Sequence, residues 1–184
     1  KTTFIDAITG FVPATGRIRL DGREISHEKA HRRARFGLGR SWQSLELFED
    51  LSVGENLRVA AERASARRIA GDFLRPRTSR PSQLVRQSLR LLGIQDLEEH
   101  NPAELSLGQR KLVSVARALA CGPKLLCMDE PAAGLDTAES SALGDHLRAI
   151  RASGTSIMLV DHDMGLVLGV CDYIYVIDFG RLIA

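Results

Sequence analysis

The run Leu125-Leu126-Cys127-Met128-Asp129-Glu130-Pro131 places the strongest constraint on the fold of this chain. An unbroken apolar run is typical of a strand buried on both faces, as in a parallel sheet covered by helices. The two carboxylates that follow would lie at the carboxyl end of that strand, where open α/β sheets place their ligands. There an Asp can hold Mg²⁺ and a Glu can polarise an attacking water. A solvated acidic turn would account for neither the apolar run before the carboxylates nor the proline after them.

Further apolar strands alternate with helical segments, which predicts a parallel sheet covered on both faces. The predicted strands are 38–42, 124–128, 156–160 and 173–177. The stretch 51–120 lacks such strands and is predicted to be a helical subdomain. The core is expected at 1–50 and 121–184, and the Arg- and Pro-rich segment 64–82 is predicted to be a mobile connection.

The segment Ser106-Leu107-Gly108-Gln109 is predicted to begin a helix that runs to about Ala120. The unpaired N–H groups and the positive dipole end of a helix N-terminus favour an anion. Ser106 is also an ordinary N-cap, but capping alone does not call for Gly108, because glycine destabilises a helix. Gly108 would let a phosphate approach the backbone.

The residues Lys1-Thr2-Thr3 open a short helix that is predicted to stop at Gly10. They fit the end of a P-loop, in which a lysine reaches phosphate oxygens and a hydroxyl ligates Mg²⁺. The alternative is an ordinary surface lysine. Their position ahead of the other motifs favours the P-loop.

Two polar residues follow predicted strands elsewhere in the chain. The amide of Gln43 could contact both Mg²⁺ and water, and His162 could hydrogen-bond a γ-phosphate. Each has a simpler alternative, a surface glutamine and a structural histidine. The spacing of His162 after Glu130 favours the functional interpretation. Asp136 is predicted to cap a helix and could also meet a partner subunit.

Composition excludes several classes of function. The net charge of +2 and the lack of aromatics among the arginines argue against a nucleic-acid partner. The cysteines, Cys121, Cys127 and Cys171, have no metal-binding spacing and suggest reduced thiols of a cytosolic protein. The sequence also lacks an apolar run long enough to span a bilayer.

Several motifs together resemble the ATP-binding subunits of ABC transporters, most closely the ATPases of branched-chain amino-acid importers. The motifs are Arg40-Ser41-Trp42-Gln43, Leu51-Ser52-Val53-Gly54-Glu55-Asn56-Leu57, Glu130-Pro131-Ala132-Ala133-Gly134-Leu135 and Asp161-His162-Asp163-Met164. The resemblance implies an α/β fold like that of P-loop NTPases, with a mostly parallel sheet and an inserted helical signature subdomain. The N-terminal strand and the P-loop glycines of that family are missing from this sequence, so we expect the chain as given to bind ATP poorly.

The resemblance also implies a set of site residues, with ATP and Mg²⁺ as cofactors. Glu130 would be the catalytic base and His162 the switch histidine. The nucleotide-binding residues would be Lys1, Thr2, Thr3, Gln43, Asp129 and Asp136, joined by the signature residues Ser106, Gly108 and Gln109 of the opposite subunit. The Mg²⁺ ligands would be Thr2, Gln43 and Asp129. Leu107 departs from the family pattern, which commonly has glycine at that position.

The partners implied by the resemblance are a second ATPase subunit, identical or related, and transmembrane permease subunits. A periplasmic or extracellular solute-binding protein would act indirectly, and the chain would lie peripherally on the cytoplasmic face of the cell membrane. The transported solute would be a branched-chain amino acid or a similar small polar molecule. An ATPase of lipopolysaccharide-export type and a non-transport ABC ATPase remain as alternatives. The latter expects a long coiled coil or a second cassette, and the sequence has neither. A catalytically inactive cassette is disfavoured because Glu130 and His162 are present.

Overall fold

The computed structural model describes residues 1–42, 46–62 and 83–184, which form two compact units. The first unit comprises Lys1–Glu46 and Pro123–Ala184, and the second comprises Leu47–Gly122. In chain order the elements are α1 Thr2–Thr9, β1 Arg19–Leu20, β2 Arg23–Glu24, α2 Ala30–Arg35, β3 Leu38–Arg40, α3 Val53–Ala61, α4 Gln83–Leu91, α5 Leu107–Leu119, β4 Leu125–Asp129, α6 Thr137–Ala152, β5 Ser156–Val160, α7 Met164–Val170, β6 Ile177–Asp178 and β7 Arg181–Leu182. The predicted connection 64–82 and the predicted site residue Gln43 lie outside the described residues.

The centre of the first unit is a parallel sheet with the strand order β3-β4-β5. The middle strand β4 is the apolar run identified in the sequence, and Leu126, Cys127 and Met128 are fully buried. The side chain of Ile5 in α1 is buried in the same cluster as Cys127 and Leu38. The predicted α/β fold with a parallel sheet is therefore confirmed.

Two arginines fix α1 within this unit. Arg33 is buried, and its guanidinium donates to the carbonyl oxygens of Ala7 at 2.8 Å and Ile8 at 2.6 Å. These carbonyls belong to the last turn of the helix, where carbonyl oxygens have no amide donor four residues further along the helix. Arg40 at the end of β3 pairs with Asp6 in the middle of α1. The helix is thus held from both α2 and β3.

The second unit is helical. Helix α3 begins with a capping box in which Ser52 accepts from the amide of Glu55 at 3.3 Å. Helices α3, α4 and α5 contact one another. Each helix contributes side chains that are at most 1% exposed to a shared hydrophobic core. This core contains Leu57 from α3, Leu89 from α4 and Val113 from α5.

The prediction of a strand at 173–177 is wrong in length and in pairing. Only Ile177–Asp178 forms strand β6, which pairs antiparallel with β7 of the same hairpin and not with the parallel sheet. Phe179 and Gly180 have φ values of 41° and 79°, the geometry of a two-residue hairpin turn. This turn pairs β6 with β7. Tyr173 and Tyr175, which precede the hairpin, are 84% and 72% exposed.

None of the helices within the described residues is both long enough and apolar enough to cross a membrane.

Candidate functional site

Asp129 is the last residue of β4, lies opposite Val160 of β5 and is 3% exposed. Neither of its carboxylate oxygens accepts a hydrogen bond from any described residue. A buried carboxylate without a partner is costly, so these oxygens fit a ligand that brings positive charge. Within the described ranges no group of three His, Cys, Asp or Glu could hold a metal. Mg²⁺ fits this site, since proteins commonly hold it by one or two carboxylates together with substrate phosphates.

Glu130 begins the turn that leaves the sheet at this point. Its φ is 49°, a left-handed conformation that is uncommon for a residue other than glycine and often marks a functional site. Its amide donates to the carbonyl of Val160 at 2.7 Å, and its own carbonyl accepts from Ala133 at 3.1 Å. The chain therefore turns sharply after Asp129 while it remains bonded to β5.

His162 lies next to Glu130, at the end of β5. Its imidazole is 68% exposed, and Nδ1 is 3.9 Å from Oε1 of Glu130. That distance is longer than a hydrogen bond. The two side chains thus face the same opening at the carboxyl ends of β4 and β5.

Asp161 connects the loops that carry these two side chains, and its side chain is fully buried. Oδ1 accepts from the amides of His162 at 2.7 Å and Asp163 at 3.0 Å, and Oδ2 accepts from the amide of Ala132 at 3.1 Å. Hydrogen bonds to an ionised carboxylate are stronger than those between neutral groups. One buried carboxylate therefore holds both loops.

Asp163 connects this site to helix α6. Oδ1 caps α7 by accepting from the amide of Leu166 at 3.1 Å, and Oδ2 accepts from the hydroxyl of Ser140 at 2.6 Å. The hydrogen bond from Ser140 lowers the pKa of Asp163 most, and the bond from the amide of Leu166 lowers it further. Asp136 caps α6 by accepting from the amide of Glu139 at 2.8 Å, as predicted from its capping box. The helix that Asp136 begins is thus bonded directly to the loop of His162.

Lys1, Thr2 and Thr3 lie exposed at the start of α1. The helix contacts β4, and its buried side chain Ile5 packs against Cys127. Burial raises the pKa of the Cys127 thiol to about 12. The helix with the proposed phosphate-binding N-terminus therefore packs on the strand that ends in Asp129.

In the second unit, Ser106 and Gln109 form the N-terminus of α5. The hydroxyl of Ser106 accepts from the amide of Gln109 at 3.2 Å, and Oε1 of Gln109 accepts from the amide of Ser106 at 2.9 Å. Gly108 lies partly exposed in the first turn. Arg110, which follows, pairs with Glu49 and holds the pKa of that carboxyl below its ordinary value.

The structure therefore brings together Asp129, Glu130 and His162 at the edge of one sheet. The sequence interpretation did not identify Asp161 as part of this arrangement, nor the bond between Ser140 and Asp163. The sequence signal for Asp161 was a polar residue directly after an apolar strand. Its bond to Ala132 was not evident from the sequence, because the two residues lie far apart in the chain.

Comparison with known proteins identifies the family. The sequence pattern that defines the ABC transporter family matches residues 1–133. The chain belongs to this family. The high-affinity branched-chain amino acid transport ATP-binding protein BraF of Pseudomonas aeruginosa is 34% identical over the whole chain and 75% of its own length. LivG of Escherichia coli, which carries the same description, is 32% identical with the same coverage.

Solved structures of ABC cassettes have the same fold. The ADP conformation of MJ1267, an ATP-binding cassette of an ABC transporter, aligns with a TM-score of 0.83 at 28% identity, over the whole chain and 74% of the other. CbiO1 from Clostridium perfringens, part of the ABC transporter complex cbiONQ, aligns with a TM-score of 0.79 at 28% identity, over the whole chain and 70% of the other. This chain is therefore an ABC ATPase, and it is similar to the ATP-binding proteins of branched-chain amino acid transport.

Proposed function

We propose that this ABC ATPase powers the uptake of a branched-chain amino acid or a similar small polar solute. The support is the similarity to BraF and LivG, both described as branched-chain amino acid transport proteins. The observation that carries the chemistry is the buried Asp129, with no hydrogen-bond partner among the described residues, beside Glu130 and His162.

Glu130 is proposed as the catalytic base. Its carboxylate would accept a proton from a water whose oxygen attacks the γ-phosphorus of ATP, while the bond to the bridging oxygen breaks and ADP leaves. His162 would hydrogen-bond the γ-phosphate from the other side of the same opening. The 3.9 Å between Nδ1 of His162 and Oε1 of Glu130 is compatible with both side chains reaching one phosphate.

Asp129 would hold Mg²⁺ together with Thr2 and Gln43. When bound, the ion neutralises charge on the phosphate oxygens. Mg²⁺ fits here because both carboxylate oxygens of Asp129 are buried without a hydrogen-bond partner among the described residues, and the ion would balance their negative charge.

The remaining proposed contacts are with the phosphates and with the second subunit. Lys1, Thr2 and Thr3 would bind phosphate oxygens through side chains and through the N–H groups at the start of α1. The signature residues are proposed to bind the same nucleotide from the opposite subunit of a pair. Asp136 is proposed to bind nucleotide and to lie at the contact with that partner subunit. These signature residues are Ser106, Gly108 and Gln109.

The proposed assembly is a pair of ATPases, identical or related, bound to transmembrane permease subunits. The cassette would lie peripherally on the cytoplasmic face of the membrane. A periplasmic or extracellular solute-binding protein would deliver the solute to the permease. Among the relatives, cbiO1 is described as part of an ABC transporter complex, cbiONQ.

The test is ATP hydrolysis by the transporter reconstituted in vesicles with its permease and solute-binding protein. We expect leucine, isoleucine or valine to stimulate hydrolysis and to accumulate with ATP, and we expect Glu130→Gln to abolish both effects. Glu99→Gln, the same change at an exposed carboxylate, serves as the control and should retain both. Hydrolysis that responds to lipopolysaccharide, and not to amino acids, would overturn the importer proposal.

A further inference from the structure

The loop after β4 and the loop after β5 are joined by one side chain that the proposed chemistry does not use. Asp161 has a side-chain exposure of 0%, whereas the side chain of its neighbour His162 is 68% exposed. The carboxylate therefore points into the protein while the imidazole points out of it. A buried carboxylate is tolerated when donors surround it, and here three backbone amides do so.

The three donors come from two loops. The amides of His162 and Asp163 are local, and a carboxylate that bonds to the amides just after it is a common turn device. The amide of Ala132 is different, because it lies 29 residues away in sequence, at 3.1 Å from Oδ2. A local turn does not explain that bond.

Capping of α7 does not explain Asp161 either. Asp163 is the N-cap of that helix and accepts from Leu166 at 3.1 Å. The helix begins correctly without a contribution from Asp161. What Asp161 adds is the connection between the His162 loop and the turn after Glu130.

That turn needs support, because Glu130 has the left-handed φ of 49°. Conformations of this kind persist only where the surrounding structure enforces them. Ala132 is buried, and its amide is held by Asp161. The bond thus fixes the backbone two residues after the proposed base.

We propose that Asp161 is a positioning residue that holds Glu130 and His162 in the geometry needed for ATP hydrolysis. The proposal rests on the roles proposed above for those two side chains. The side chain of Asp161 is fully buried, so it is not proposed to contact ATP or the attacking water. Its loss should therefore lower the rate of the chemical step more than the affinity for nucleotide.

The test is Asp161→Asn in the intact protein. The amide has nearly the shape of the carboxylate, but its NH₂ group cannot accept from Ala132 when its oxygen accepts from His162 and Asp163. We expect kcat for ATP hydrolysis to fall at least about tenfold while KM for ATP changes less than about twofold.

A second readout reports the bond directly. The backbone amide of Ala132 should exchange hydrogen faster in Asp161→Asn, and its proton NMR signal should move upfield, while amides in the interior of β4 stay protected. Asp172→Asn, the same change at an exposed carboxylate paired with Arg151, should alter neither kcat nor the Ala132 signal.

The outcomes separate this inference from the proposed function. If Glu130→Gln abolishes hydrolysis but Asp161→Asn leaves kcat unchanged, the positioning role is wrong and the function stands. If Asp161→Asn also exposes the amides of β4 to exchange, the residue is merely structural and the inference is overturned. If Glu130→Gln retains hydrolysis, the proposed function fails first, and the inference with it.

Discussion

The replacement Asp129→Asn tests the interpretation of the site through protein stability. Asp129 is buried, and none of the described residues donates a hydrogen bond to its carboxylate oxygens. The effective cost of an uncompensated buried ion is several kcal/mol, whereas an unsatisfied neutral polar group costs about 1–3 kcal/mol. Without nucleotide and metal, the asparagine variant should therefore be more stable than the wild type by about 1–3 kcal/mol.

Mg²⁺ and ATP should reverse this order. A ligand at 1,000 times its dissociation constant stabilises the folded state by about 4.1 kcal/mol if it does not bind the unfolded chain. The wild type should gain this stabilisation, and the variant should lose most of it because its amide carries no charge for the ion. The carboxylate is thus expected to lower stability in the apo protein and to raise it in the complex.

The assay is urea unfolding followed by far-UV circular dichroism, once in EDTA and once with Mg²⁺ and ATP. For a chain of this size a change of 1 kcal/mol corresponds to roughly 2–4 °C in Tm, so thermal unfolding gives an independent check. Asp50→Asn, at an exposed position, should be neutral in both conditions. An Asp129→Asn variant that is less stable than the wild type in EDTA would refute the reasoning.

Three further replacements test the supporting structure. Leu126→Ala removes a fully buried side chain from β4 and should lower the free energy of unfolding by about 2–5 kcal/mol, as measured by urea titration. Ser106→Ala removes the cap that accepts from Gln109 and should cost about 1 kcal/mol in the same assay, with equal helix content at low denaturant as evidence that α5 still forms. The pKa of Asp163 lies below its ordinary value, so its contribution to stability is present above that value and is lost as pH falls through the lowered one. Ser140→Ala should therefore destabilise the protein more at pH 6 than at pH 3, and equal losses at both pH values would contradict the role of the hydrogen bond.

Local signals in the sequence predicted the elements and their caps well. The capping boxes that begin at Ser52 and Asp136 are both present at the N-termini of their helices, as the spacing of the capping residues predicted. The apolar run of β4 indicated burial on both faces, and the structure places it in the middle of the sheet. Such features depend on residues a few positions apart, which is why sequence patterns reveal them.

Contacts between distant residues were not predictable in this way. The bond from Ala132 to Asp161 joins two loops whose approach depends on the pairing of β4 with β5. The hairpin that replaces the expected strand at 173–177 depends on which neighbour the segment pairs with, and apolar content does not specify that. The role of Gln43 stays a prediction, because that residue lies outside the described residues.

We propose that Glu130 is the base of an ABC ATPase that closes as a pair around ATP. The most direct measurement is the sedimentation velocity of Glu130→Gln with Mg²⁺ and either ATP or ADP. We expect a species of about twice the monomer mass with ATP and a monomer with ADP, because the variant should bind ATP without hydrolysing it. A monomer in both conditions, with and without the related ATPase subunit and where ATP is shown to bind, would contradict it.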